Sequence, residues 1–164
     1  MGIPHRNYLI YLKKMNKSLP EKGSSIKEIY PSACDVAFQR PLFLSGVSAG
    51  FPSPADDYLD RKLDLNEHLV KNPAATFFVR VAGDSMTGAG INDNDILVVD
   101  RSLEPSSNNI VIAVVNGELT VKRLIKTRNS CRLIAENPDY PPLEINEEVP
   151  LEIWGVATYA IHTL

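Results

Sequence analysis

Metal ligands and disulfide partners are scarce in this sequence. Its 164 residues hold two cysteines, Cys34 and Cys131, without the spacing of a zinc ligand pair or of a disulfide framework. Reduced thiols in a cytoplasmic protein are the expected state. The three histidines, His5, His68 and His162, are scattered as well, so no metal site is expected. Long apolar runs are missing. The longest stretches, such as Ile110 to Val115, fall far short of the roughly 20 residues that span a bilayer. The opening residues, MGIPHRNYLIYLKKMNK, meet charges early and show no small-residue cleavage site, so a secretory signal is not expected. Arg6 stands where an N-myristoylation motif carries Ser or Thr, which argues against a lipid anchor. There is no glycine-rich nucleotide loop and no internal repeat. No cofactor is expected.

Charge is distributed unevenly. Residues 1–30 carry six Lys/Arg against two Asp/Glu; of the chain's 17 and 20, this leaves 11 against 18 for the remainder. A net-acidic body does not grip nucleic acid with its main surface, so no sequence-specific DNA binding is expected. The basic segment reads as a solvated, flexible arm. Its stretch KKMNKSLPEKGSSIKE has the Pro, Gly and Ser interruptions of a linker.

The body has the content of one globular domain, with 44% hydrophobic residues. PLFLSGVSAGFPSPADD, from Pro41, reads as extended or looping chain, because Pro52 and Pro54 cannot continue a ladder. DYLDRKLDLNEHLVKNP reads as a turn, a strand fragment KLDL and a short helix capped by Asn66. One longer helix fits the periodicity equally well. Beyond residue 75 the signals are strands: ATFFVRVA, DILVVD, NIVIAVV, ELTVKRLI, CRLIAE and EIWGVATYAI. NIVIAVV is continuously apolar, as a strand buried on both faces is. Asn116-Gly117 supplies the pair of positive φ angles that a type I′ hairpin needs. A compact, mainly β domain of short strands and hairpins is expected.

Two residues carry possible chemistry. Ser85, in VAGDSM, has the composition of an ordinary turn, but a serine becomes a nucleophile when a base lies within hydrogen-bond reach. His68 and His162 are not excluded as that base, though neither lies in a motif. Lys122, in ELTVKRL, is the other candidate. Strand alternation sets it on one face with Thr120 and Leu124. To be neutral near pH 7 its pKa must fall by about three units, a penalty of roughly 4 kcal/mol that burial is able to impose. A strand lysine that snorkels to solvent fits the same spacing.

Three stretches, GFPSPADDY, VAGDSMTGAGINDNDILVVD and NGELTVKRL, together resemble the UmuD family. UmuD-like proteins group with LexA and phage repressors as self-cleaving serine–lysine peptidases, and the similarity runs over residues 41–161. The resemblance implies a LexA/UmuD-type peptidase domain, with Ser85 as nucleophile, Lys122 as its neutral general base and Ala49–Gly50 as the bond cut. Backbone N–H groups of Asp84 and Ser85 would form the oxyanion hole. Residues 1–49 would then be a removable arm and residues 50–164 the peptidase-like domain. The arm is longer than expected before a UmuD cleavage site. The resemblance further implies a homodimer, cleavage promoted by a RecA filament on single-stranded DNA in the SOS response to DNA damage, and a processed form serving a UmuC-like Y-family polymerase in error-prone translesion synthesis. A polymerase-binding module without catalysis, or a LexA-like transcriptional regulator, is the alternative. The regulator needs a helix-turn-helix pair, which the interrupted arm does not offer.

Overall fold

The computed structural model describes residues 26–31, 39–43, 59–146 and 149–164. The strands are β1 (Ile26–Pro31), β2 (Gln39–Phe43), β3 (Leu59–Asp64), β4 (Thr76–Val81), β5 (Ile96–Asp100), β6 (Ile110–Val115), β7 (Glu118–Lys126), β8 (Cys131–Ile134), β9 (Leu143–Ile145) and β10 (Leu151–Ile161). Among the described residues, one short helix, α1 (Leu65–Leu69), and a 3₁₀ turn at Thr87–Ala89 interrupt them. Eight strands make one sheet in the order β1-β4-β5-β10-β6-β7-β8-β9, every pair antiparallel, while β2 and β3 pair separately. The mainly β architecture read from the sequence is the one found. No helix among the described residues is long and apolar enough to cross a membrane.

The sheet buries both of its faces. On β6, Val111, Ile112 and Ala113 are all fully buried. Ile112 joins one core cluster, with Phe77, Val79, Val81, Met86, Leu97, Val99, Val121 and Trp154, whereas Val111 and Ala113 join the other, with Leu124, Leu133 and Val156. Because successive side chains of a strand point to opposite faces, only an unbroken apolar run can serve both clusters. Hence the sequence of β6. Asn116 and Gly117 take φ angles of +51° and +86°, and the Val115–Glu118 pairing closes a two-residue hairpin between β6 and β7.

β10 is the pivot of the sheet. Its first half pairs with β6 and its second half with β5, with register shifts on either side of the changeover. Gly155 lies at that point. A Cβ there would stand 2.8 Å from Val99 Cγ1 and 3.0 Å from the Asp100 carbonyl oxygen, so glycine is what lets β10 lie against β5.

Two local readings change. The cap of α1 is Asp64, not Asn66: Asp64 Oδ1 accepts from the backbone N–H of Asn66 at 2.8 Å and of Glu67 at 3.4 Å. An aspartate two and three residues before those amides reaches both, which Asn66, already inside the helix, cannot. The arm, in turn, contributes β1 at one edge of the main sheet, paired to β4, and Ile26 enters the core at 3% exposure. IKEIYP carries too few apolar residues to announce a strand alone; the edge of β4 supplies its ladder. Residues 1–25 lie outside the described residues.

Candidate active site

The loop leaving β4 holds Ser85. It turns at Gly83, whose φ of +85° suits glycine. The backbone N–H and the hydroxyl of Thr87 then both donate to the Asp84 carbonyl, at 3.3 and 3.1 Å. Met86, 1% exposed, plugs into the first core cluster and draws the loop down onto the sheet. Ser85 beside it is buried at 7% exposure. Among the described residues, the N–H groups of Thr87, Gly88 and Ala89 find acceptors, whereas those of Asp84, Ser85 and Met86 meet none.

Lys122 reaches Ser85 from β7, where it lies opposite Val111 of β6. Its Nζ is 3.1 Å from Ser85 Oγ and donates to the Val121 carbonyl at 3.0 Å. Burial pushes the amine below the ordinary lysine value, because the charged form loses hydration. Among the described residues no carboxylate forms an ion pair with it that would hold the proton in place. This geometry suits a neutral amine. One N–H stays on the Val121 carbonyl and orients the group, leaving the lone pair for the Ser85 hydroxyl.

The histidines stand elsewhere. His162 Nδ1 lies 2.8 Å from Asp95 Oδ1, and the His68 ring packs 5.7 Å from that of Tyr159. Neither is bonded to Ser85. Cys131 is a free, half-buried thiol; Cys34, Ala49 and Gly50 lie outside the described residues.

A brace for the serine loop, supplied by the segment NPDYPP, escapes the sequence reading. Asn137 Nδ2 donates to the Asp84 carbonyl at 3.2 Å, and the Tyr140 hydroxyl donates to Asp84 Oδ1 at 2.6 Å. The carboxylate beside the Tyr140 phenol holds its pKa above the ordinary tyrosine value. Gly88 N–H donates to the Glu136 carbonyl at 2.7 Å, while Glu136 itself pairs with Arg123, the neighbour of Lys122 on β7. The loop, the brace and the lysine strand are thus tied in a ring. The signal in the sequence was weak: Asn137 also serves its own turn, its Oδ1 accepting from the Asp139 N–H at 3.0 Å, which leaves Tyr140 as the residue a turn does not call for. At Gly88 a Cβ would collide with the Glu136 carbonyl oxygen, a backbone atom that cannot swing aside. Gly88→Ala is therefore expected to cost about 1–3 kcal/mol of stability. Urea unfolding of the two proteins checks this; equal midpoints would mean the loop is not held against Glu136.

Comparison with known proteins places the chain in a family. The family described as Peptidase S24-like matches residues 41–158, a span that includes both Ser85 and Lys122. Protein ImpA of Salmonella typhimurium is 44% identical over 129 residues, covering 78% of this chain and 87% of its own length. Protein SamA of Salmonella typhimurium strain LT2 is 46% identical over 134 residues, 82% of this chain and 93% of its own. The LexA repressor of Photorhabdus laumondii is 37% identical over 116 residues, 70% of this chain and 57% of its own. The chain belongs to the peptidase S24-like family, among its UmuD-type members.

Proposed function

We propose that this protein is a self-cleaving serine peptidase of the SOS response that cuts its own Ala49–Gly50 bond. The observation that carries the reading is the 3.1 Å approach of Lys122 Nζ to Ser85 Oγ, from a partly buried strand to a buried loop, in a chain of a peptidase family. In the first step Ser85 Oγ bonds to the Ala49 carbonyl carbon while its proton passes to Lys122 Nζ. The tetrahedral oxyanion is met by the N–H groups of Asp84 and Ser85, which find no acceptor among the described residues. Collapse breaks the bond to Gly50, whose nitrogen takes the proton back from Lys122 and leaves as a new amino terminus. Water, deprotonated by the same amine, then frees Ala49 from Ser85. A small residue followed by glycine fits this task, because the backbone must bend to present its carbonyl.

Since the substrate is tethered, the rate depends on how often the cleavage segment docks. A RecA filament on single-stranded DNA fits as a factor that favours the docked state without adding a catalytic group. The processed chain, as a homodimer in the cytoplasm, would then serve a UmuC-like Y-family polymerase. Resemblance to the UmuD family supports this part. The test is made in cells. With Ser85→Ala in place of the wild-type chain, mutagenesis induced by DNA damage is expected to fall to the level of a strain lacking the protein. Mutagenesis at the wild-type level would instead favour a binding module that needs no cut.

A further inference from the structure

We propose that the outer edge of β4 is a strand-acceptor site, closed by β1 in the whole chain and opened when the chain is cut. The proposal rests on the cut at Ala49–Gly50 read above. β1 is an edge strand, and its register with β4 runs from Ile26 opposite Val81 to Pro31 opposite Phe77. Every residue of β1 precedes Ala49, so the cut leaves β1 attached to the body only by non-covalent contacts. Those contacts describe what the edge recognises. Ile26, 3% exposed, fills a place in the core cluster beside Val79 and Val81. Lys27 Nζ donates to Asp93 Oδ1 at 3.0 Å and to Asn94 Oδ1 at 2.7 Å. Arg80 Nε, on β4 itself, donates to Glu28 Oε2 at 3.0 Å.

Without β1, the edge of β4 would present unpaired backbone groups, an aliphatic socket, an acid at Asp93 and a base at Arg80. Bare strand edges recruit other strands. The occupant that fits is an extended segment of a partner protein reading aliphatic–basic–acidic–aliphatic, as Ile26-Lys27-Glu28-Ile29 does. The cut controls access through effective concentration. While tethered, β1 competes at a local concentration on the order of millimolar, which a partner at micromolar level does not match. After the cut, β1 and β2, which lies in the same fragment and pairs with β3, leave together on dilution and do not return.

A fluorescein-labelled peptide of residues 24–33, SSIKEIYPSA, is the probe. The protein is the full chain carrying Ser85→Ala and a site-specific protease sequence inserted between Ala49 and Gly50, so that cutting does not depend on self-cleavage. Peptide anisotropy is expected to rise and saturate with the cut chain and to stay flat with the uncut one. An Ile26→Asp peptide is expected to bind more than about tenfold more weakly, since a buried aliphatic contact is worth at least that ratio. Flat anisotropy with a fully cut chain, equal binding by cut and uncut chains, or loss of the Trp154 fluorescence of the folded state on cutting would each overturn the proposal. Failure of the self-cleavage reading shows separately, as a wild-type chain that stays whole.

Discussion

Ser85→Ala is expected to leave the chain whole under conditions in which the wild type cuts itself. The rate should fall by at least about a thousandfold, the usual consequence of losing a covalent nucleophile. The replacement removes one hydroxyl from a buried loop that Met86, Asn137, Tyr140 and Gly88 continue to hold. Folding is therefore expected to survive, and loss of cleavage then reports chemistry. Intact mass after equal incubation reads the rate, and thermal unfolding checks the fold. A Ser85→Ala chain cut at the wild-type rate would remove Ser85 from the mechanism.

The second large effect is the pH dependence that Lys122 imposes. Only the neutral amine accepts the serine proton, so the wild-type rate should climb about tenfold per pH unit at low pH. It should level off at the Lys122 pKa, which burial sets below the ordinary lysine value of about 10.4. Lys122→Met should show no cleavage across this range. Stability should change in step. With the folded pKa below the unfolded one, the unfolded chain binds more protons between the two values, so wild-type stability rises with pH through that window. Below the folded pKa both states carry the proton, and the cost of the buried ammonium is present in full. Lys122→Met removes that cost, so the variant should unfold at higher urea than the wild type at neutral pH, and the gap should narrow towards pH 10. A gap independent of pH would mean that Lys122 is fully hydrated, as a lysine that snorkels would be.

Local features of the sequence were legible where local chemistry decides them. Asn116-Gly117 names its own hairpin, and the unbroken apolar run of β6 declares two covered faces. Other features depend on distant partners. β1 reads as a polar linker until the edge of β4 is there to pair with it. The cap of α1 went to Asp64 because the helix began two residues earlier than the apolar pattern suggested. At the site, the residue types alone left Ser85 a turn and Lys122 a surface lysine; the resemblance to the UmuD family singled them out. Their approach across 37 residues of chain is a product of the fold. Tyr140 and Asn137 stayed hidden because a residue that braces a loop from another loop has no periodicity to betray it.

The central claim is that the chain cuts itself between Ala49 and Gly50. Intact-mass spectrometry of the purified wild-type protein, incubated from pH 7 to 10, tests it most directly. Two products are expected, residues 1–49 and 50–164, accumulating together and faster as pH rises; RecA, ATP and single-stranded DNA should accelerate the same cut at neutral pH. A chain that stays whole under every one of these conditions, or products that end at another bond, would contradict it.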